Sequence, residues 1–253
     1  MRNHPGANRT QCAPARRVRP VHVALVMLLI AGACSGNASA VGTGKLVTRP
    51  LTSDGTDAYV LSRQHDTLTV RAPATNQGIG TREVFWPDGQ QARRDAESCV
   101  TIASQDGARD ASGVTQEGVV LRLRTDRTGR TRAVTVTKNV YGGWVWVFNA
   151  TVWDSAATPT PFHEIGNRTM HVLYPRGAPL AALPWNLCAR VAGNTLEFVV
   201  WAGSGRRPDY DDADHAASFQ LPPGFDRAGN YGGYIGHLPP GHWMTFTGVS
   251  TNE

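Results

Sequence analysis

The sequence predicts an all-β protein folded as two packed antiparallel sheets. Three observations carry this. Beyond residue 44 no long window repeats with the helical period, whereas short runs that alternate apolar and polar, or are continuously apolar, recur along the whole chain. Gly, Pro, Asn and Asp punctuate these runs. A dozen or so short strands in about 200 residues bury their apolar faces most simply by stacking one sheet on another.

The elements follow in chain order. Residues 1–20 are polar and basic, and residues 21–33 form a short apolar stretch broken only by His22. This is the pattern of a secretory signal, and the stretch is shorter than the roughly 20 residues needed to span a bilayer. Ala31-Gly32-Ala33 then leads directly into Cys34, which resembles the bacterial lipobox. The resemblance implies cleavage before Cys34, diacylglycerol on its thiol and an acyl group on the new amino terminus, a stable two- or three-chain anchor. An ordinary signal cut after Ala33 or Ala40, with an incidental cysteine, is the alternative. Residues 34–44 read as a lipidated cysteine followed by a flexible Gly/Ser/Ala tether, and residues 45–253 as a single β-sandwich domain. The expected location is the extracytoplasmic face of the cell membrane.

Within the domain, strands are expected at residues 45–49, 58–62, 66–72, 82–86 and 98–104 from their alternation. Residues 119–125 place Val119, Leu121 and Leu123 on one face and Arg122 and Arg124 on the other. The Asp-, Thr- and Gly-containing residues 126–130 turn the chain into 131–137, giving a hairpin. Residues 105–117 and 154–166 have room for a helical turn, and strands are expected at 143–153 and 168–174. Gly193-Asn194 tolerates positive φ and joins residues 187–191 to 195–201 in a second hairpin. Residues 216–221 and 242–250 complete the set. No internal repeat is present.

The 253 residues carry 25 Lys plus Arg against 20 Asp plus Glu, a formal charge of +5. Residues 1–34 hold five of those arginines and no acid, so the rest is balanced at 20 of each sign. A neutral body excludes a wholesale nucleic-acid binder, whose affinity comes from Lys and Arg on phosphates. With Cys12 and Cys34 in the N-terminal segment, Cys99 and Cys188 remain. In an exported chain the simplest outcome is a disulfide between them; two buried thiols or a metal pair is the alternative.

In the C-terminal half, Arg190 to Trp201 around the Gly193-Asn194 turn, an acidic loop, Gly229-Asn230-Tyr231-Gly232-Gly233-Tyr234-Ile235-Gly236-His237, and Met244 to Val249 follow in order. This cadence resembles the closing strands of a concanavalin A-like jelly roll, the class that holds laminin-G-like domains and the 3-keto-disaccharide hydrolase family. The similarity covers about residues 118–250 as a pattern of spacings, and it fits the Ala-, Arg- and Gly-rich exported lipoproteins of actinobacteria. The resemblance implies the two-sheet antiparallel sandwich and a role in binding or cleaving sugars.

The residues themselves narrow the chemistry. No zinc-protease, nucleophile-elbow, phosphate-loop or dinucleotide motif is present, and no glutamate has Asp two residues later, as family-16 glucanases require. Glycoside hydrolysis needs paired carboxylates, and no local pair supplies them. Trp144 and Trp146 alternate with valines and lie on one strand face with Phe148. If that face is open, their rings can stack on sugars, with Glu197 and Trp201 of the neighbouring hairpin extending the platform; otherwise they fill the sandwich. Asp209, Asp211, Asp212 and Asp214 offer oxygen ligands for Ca²⁺, or form a solvated acidic loop. His163, His171, His237 and His242 are scattered and read as surface or capping residues. The expected function is lipid-anchored binding of carbohydrate or a cell-wall glycan. A hydrolase of the 3-keto-disaccharide hydrolase type would gather two acids in one cleft, and a structural or protein-interaction module would show neither acids nor an aromatic platform.

Overall fold

In the computed structural model, residues 45–53, 58–106, 115–141, 145–175 and 181–252 are described. The expected signal, Cys34 and the tether lie outside them. Fourteen strands account for most of the described chain: β1 (Leu46–Thr52), β2 (Val60–Gln64), β3 (Thr67–Arg71), β4 (Arg82–Pro87), β5 (Ala96–Gln105), β6 (Gln116–Thr125), β7 (Thr131–Tyr141), β8 (Val145–Asp154), β9 (Phe162–Arg168), β10 (Trp185–Ala192), β11 (Thr195–Ala202), β12 (Ala216–Gln220), β13 (Asn230–Gly236) and β14 (Trp243–Asn252). All pair antiparallel in two seven-stranded sheets, ordered β1-β4-β13-β6-β7-β8-β9 and β12-β11-β10-β5-β14-β3-β2. The fold is therefore the all-β, two-sheet antiparallel sandwich that the sequence predicts.

The core lies between the sheets. Alternation aims Phe85, Val119, Leu121, Val134, Val136, Phe148 and Ile235 inward from the first sheet. Val100, Leu187, Phe198, Val200, Met244 and Phe246 face them from the second. The Phe85 and Phe246 rings meet edge-on at 5.6 Å, and those of Phe148 and Phe198 lie 6.0 Å apart, so aromatic contacts bridge the layers. One ion pair shares this interior: Lys138 Nζ lies 2.9 Å from Glu117 Oε2, both nearly inaccessible, with the Trp146 ring 4.8 Å from the ammonium.

Local chemistry fixes both expected hairpins. Asp126 accepts hydrogen bonds from the backbone N–H groups of Thr128 and Arg130, and Gly129 takes φ +84° beside it. Gly193, at φ +58°, opens the two-residue turn between β10 and β11. Cys99 and Cys188 are register partners on β5 and β10 and form the expected disulfide across 89 residues of chain.

Three expectations are corrected. Leu123 does not share the face of Val119 and Leu121: β6 has a bulge after Leu121, where Arg122 takes φ +51°, and Leu123 turns to the outer face with Val120. Residues 168–174 do not form a strand after Arg168: the N–H groups of Leu173 and Tyr174 both donate to the Met170 carbonyl, a turn whose apolar residues are buried as turn side chains. Residues 154–166 lead into β9 instead of a helical turn, because Phe162–Arg168 pairs with β8 through a bulge that breaks its alternation.

Candidate functional site

The side chains facing away from the core on the first sheet form an ordered array. Register places Tyr234, Gly118, Thr137, Asn149 and Asn167 in one row across β13, β6, β7, β8 and β9. A second row holds Val120, Thr135, Thr151 and Glu164, and a third Ala133, Trp153 and Phe162. These positions share a face because each steps by two residues along its strand, except on β9, where the bulge makes the step from Asn167 to Glu164 three.

Hydrogen bonds tie the rows together. Thr137 Oγ1 donates to Asn149 Oδ1 at 2.8 Å, and Asn149 Nδ2 approaches Thr151 Oγ1 at 3.4 Å and Glu164 Oε2 at 3.5 Å. Asn167 Nδ2 donates to Glu164 Oε1 at 2.7 Å. At the β6–β7 end, Tyr234 Oη donates to Gln116 Oε1 and Gln116 Nε2 to Asn139 Oδ1, both at 2.9 Å. Trp153 Nε1 donates to Thr135 Oγ1 at 2.9 Å.

The face is curled into a trough. Five strand intervals separate β4 from β9, about 24 Å in a flat sheet at about 4.8 Å per strand. Yet the Arg82 guanidinium on β4 sits 5.3 Å from the centre of the Phe162 ring on β9, and 5.8 Å from that of Trp153. Only a coiled sheet brings those side chains together over its own outer surface.

The trough has two zones. Val84, Val120, Leu123, Ala133, Trp153 and Tyr234 pack into an apolar plug, with the rings of Trp153 and Tyr234 6.5 Å apart. Burial raises the Tyr234 hydroxyl well above the usual tyrosine range, so it serves as a neutral donor. Beside the plug runs the polar strip of amides, hydroxyls and one carboxylate. Its floor, Thr137, Asn149 and Thr151, is buried, whereas Asn167 and Phe162 at the rim are exposed, Phe162 by 39%. Among the described residues, Glu164 is the sole carboxylate in the strip's hydrogen-bond network.

The residues expected at the site from sequence are dispersed. Trp144 lies outside the described residues. Trp146 shares the inward side of β8 with Phe148 and lies half-buried against Lys138, on the side of the strand opposite to Asn149 and Thr151. Glu197 and Trp201 lie on β11 in the second sheet, not beside β8, whose partners are β7 and β9. There Glu197 accepts a 2.7 Å hydrogen bond from Arg190, and Trp201 Nε1 donates to the Gly205 carbonyl. Trp146 is therefore not brought together with Glu197 and Trp201, because the chain passes from the first sheet to the second between β9 and β10.

Asp209, Asp211 and Asp212 line an open depression of about 760 Å³ with Trp201, Arg206 and Arg207. Asp212 is committed to His215 at 3.0 Å and to the Asp214 N–H, and the His215 bond holds its carboxyl below the usual range. Among the described residues no three His, Cys, Asp or Glu side chains gather as a metal ion would require. The four histidines singled out also stay apart from the trough network. His163 alternates to the opposite side of β9, His171 faces the Tyr174 carbonyl within a turn, His237 Nδ1 lies 2.6 Å from the Ile79 carbonyl, and His242 lies 3.4 Å from Asp106.

One signal in the sequence marks the trough residues. Thr135, Thr137 and Asn139, followed by Asn149 and Thr151, put polar groups at every second position of two successive strands.

No family model and no curated protein matches the chain. Among solved structures, the carbohydrate recognition domain of Emp47p aligns with 84% of this chain and 90% of its own, at 10% identity and a TM-score of 0.47. The exoplasmic/lumenal domain of VIP36, in its Ca²⁺/Man3GlcNAc-bound form, aligns over 82% and 83% at 13% identity and 0.43. A lectin from Bauhinia forficata in complex with GalNAc aligns over 83% and 99% at 9% identity and 0.40. All three scores fall below 0.5, and the reading of the trough rests on its own residues.

Proposed function

We propose that the protein binds a carbohydrate along the trough of the first sheet, and that it does so outside the cytosol, anchored through lipid on Cys34. The observation that carries the binding reading is the polar strip beside the aromatic plug. Sugars present hydroxyls that both donate and accept, with apolar ring faces between them. Thr137, Asn149, Glu164, Asn167, Gln116 and Asn139 match the first, and the exposed Phe162 ring at the rim matches the second. Binding is favoured over hydrolysis because the strip brings one carboxylate, Glu164, where glycoside cleavage takes two at a defined separation.

The test is intrinsic tryptophan fluorescence and calorimetric titration with envelope glycans, arabinogalactan fragments among them. Trp153 lies at the strip, so a bound sugar is expected to shift the emission. Asn149→Ala and Glu164→Gln are expected to weaken binding roughly tenfold each, the loss of one or two hydrogen bonds, one of them to a charged group. Trp201→Ala, in the other sheet, is expected to leave binding unchanged. Flat titrations across a broad panel, or loss of binding only in Trp201→Ala, would remove the trough from the account.

A further inference from the structure

We infer that the saccharide held by the trough is anionic, and that Arg82 is the residue that recognises its acidic group. The inference rests on the proposed binding role of the trough and adds the chemical class of the ligand.

Several arginines of this fold are matched with acids. Arg130 and Arg132 share Asp154, Arg190 holds Glu197, Arg207 holds Glu97, and Arg122 reaches Asp95. Among the described residues the Arg82 guanidinium, like those of Arg49 and Arg124, makes no ion pair, and it alone of these three lies over the rings of the trough. Its Nη1 donates to Thr52 Oγ1 at 3.0 Å, and its charge acts on the Tyr234 hydroxyl and on His237. The rings of Trp153 and Phe162 hold it by cation–π attraction over the plug, beside the polar strip.

Position gives this unmatched cation its use. A guanidinium has five donors in a planar fork that fits a carboxylate or sulfate with two parallel bonds. Here the fork is fixed by Thr52 and two rings, so little side-chain freedom is lost when an anion arrives. Phe162, under Arg82, and Glu164 are two residues apart on the same face of β9, roughly 7 Å along the strand. An acidic sugar has a matching polarity: its anionic group accepts from Arg82 while its ring hydroxyls donate to Glu164. A neutral sugar satisfies Glu164 but leaves the arginine unmatched.

The test titrates the full-length mature protein with oligouronides, with sulfated oligosaccharides, and with neutral oligosaccharides of the same linkage and length. The wild type is expected to prefer an acidic ligand by roughly tenfold or more, with affinity falling as salt rises. The arm that binds tighter identifies carboxylate or sulfate as the anion. Arg82→Gln is expected to abolish that preference while keeping the affinity for the neutral series, and Arg82→Lys to retain part of it, because one ammonium replaces the fork. Near-ultraviolet circular dichroism checks that the plug is intact in each variant. Equal affinity of the wild type for acidic and neutral ligands, or an unchanged preference in Arg82→Gln, overturns the inference and leaves the trough a neutral-sugar site. Binding of neither series overturns the inference and the binding reading together.

Discussion

Lys138 and Glu117 meet at 2.9 Å inside the sandwich, where desolvation penalises both charges. Removing one partner leaves the other charge buried, so Lys138→Met alone is expected to cost about 3–5 kcal/mol. The double replacement Glu117→Leu with Lys138→Met is expected to recover much of that loss, and chemical denaturation of the two variants and the wild type checks it. His237 gives the pH dependence. Burial, aided by the Arg82 charge, pushes its imidazole down to about 4. The folded state therefore resists a proton that the unfolded chain accepts near pH 6.5. With the folded value depressed, stability rises with pH between about 4 and 6.5 and is lost on acidification through that window. His237→Gln is expected to flatten the stability profile there, read as the thermal midpoint from pH 4 to 7.

Among the elements, the β5–β10 pair is the one locked covalently. Reducing Cys99–Cys188, or replacing both with serine, frees a loop of 89 residues. The chain-entropy estimate for such a loop is on the order of 4–5 kcal/mol, and a lowered denaturation midpoint under reducing conditions checks it. Gly118 marks a second constraint. A Cβ there would lie 2.0 Å from the Val136 carbonyl oxygen of the paired strand. Backbone cannot yield as a side chain does, so Gly118→Ala is expected to destabilise by at least about 1–3 kcal/mol on thermal melting. Hairpins were legible in the sequence because their signals are local: Asp126 and Gly193 at the turns and the alternation in residues 195–201. In residues 119–125 the alternation holds only to Leu121, where the β6 bulge turns Leu123 to the other face. Residues 168–174 misled because an apolar run serves a buried turn as well as a strand. β9 was missed because its bulge breaks the period. Which sheet receives each hairpin is not a local property, and this alone separated Trp146 from Glu197 and Trp201. The trough was hidden for the same reason: threonines and asparagines at alternate positions mark a polar face, but only the coiling of seven strands makes that face a trough.

For the molecule as a whole, the decisive arrangement is a polar trough on a neutral sandwich, proposed to be tethered by Cys34. Cys34→Ala is expected to move the protein from the membrane fraction to the soluble extracytoplasmic fraction, and an unchanged membrane fraction would contradict the anchor. Within the sandwich, the strand that supplies Glu164, Asn167 and Phe162 is, among the described residues, the last of its sheet, paired there with β8 alone. A terminal ribbon secured along one margin loosens more readily than the strands inboard of it. The grip on a guest is thus placed where deuterium enters early, so occupancy should slow amide exchange along residues 162–168 while the protected interior records nothing.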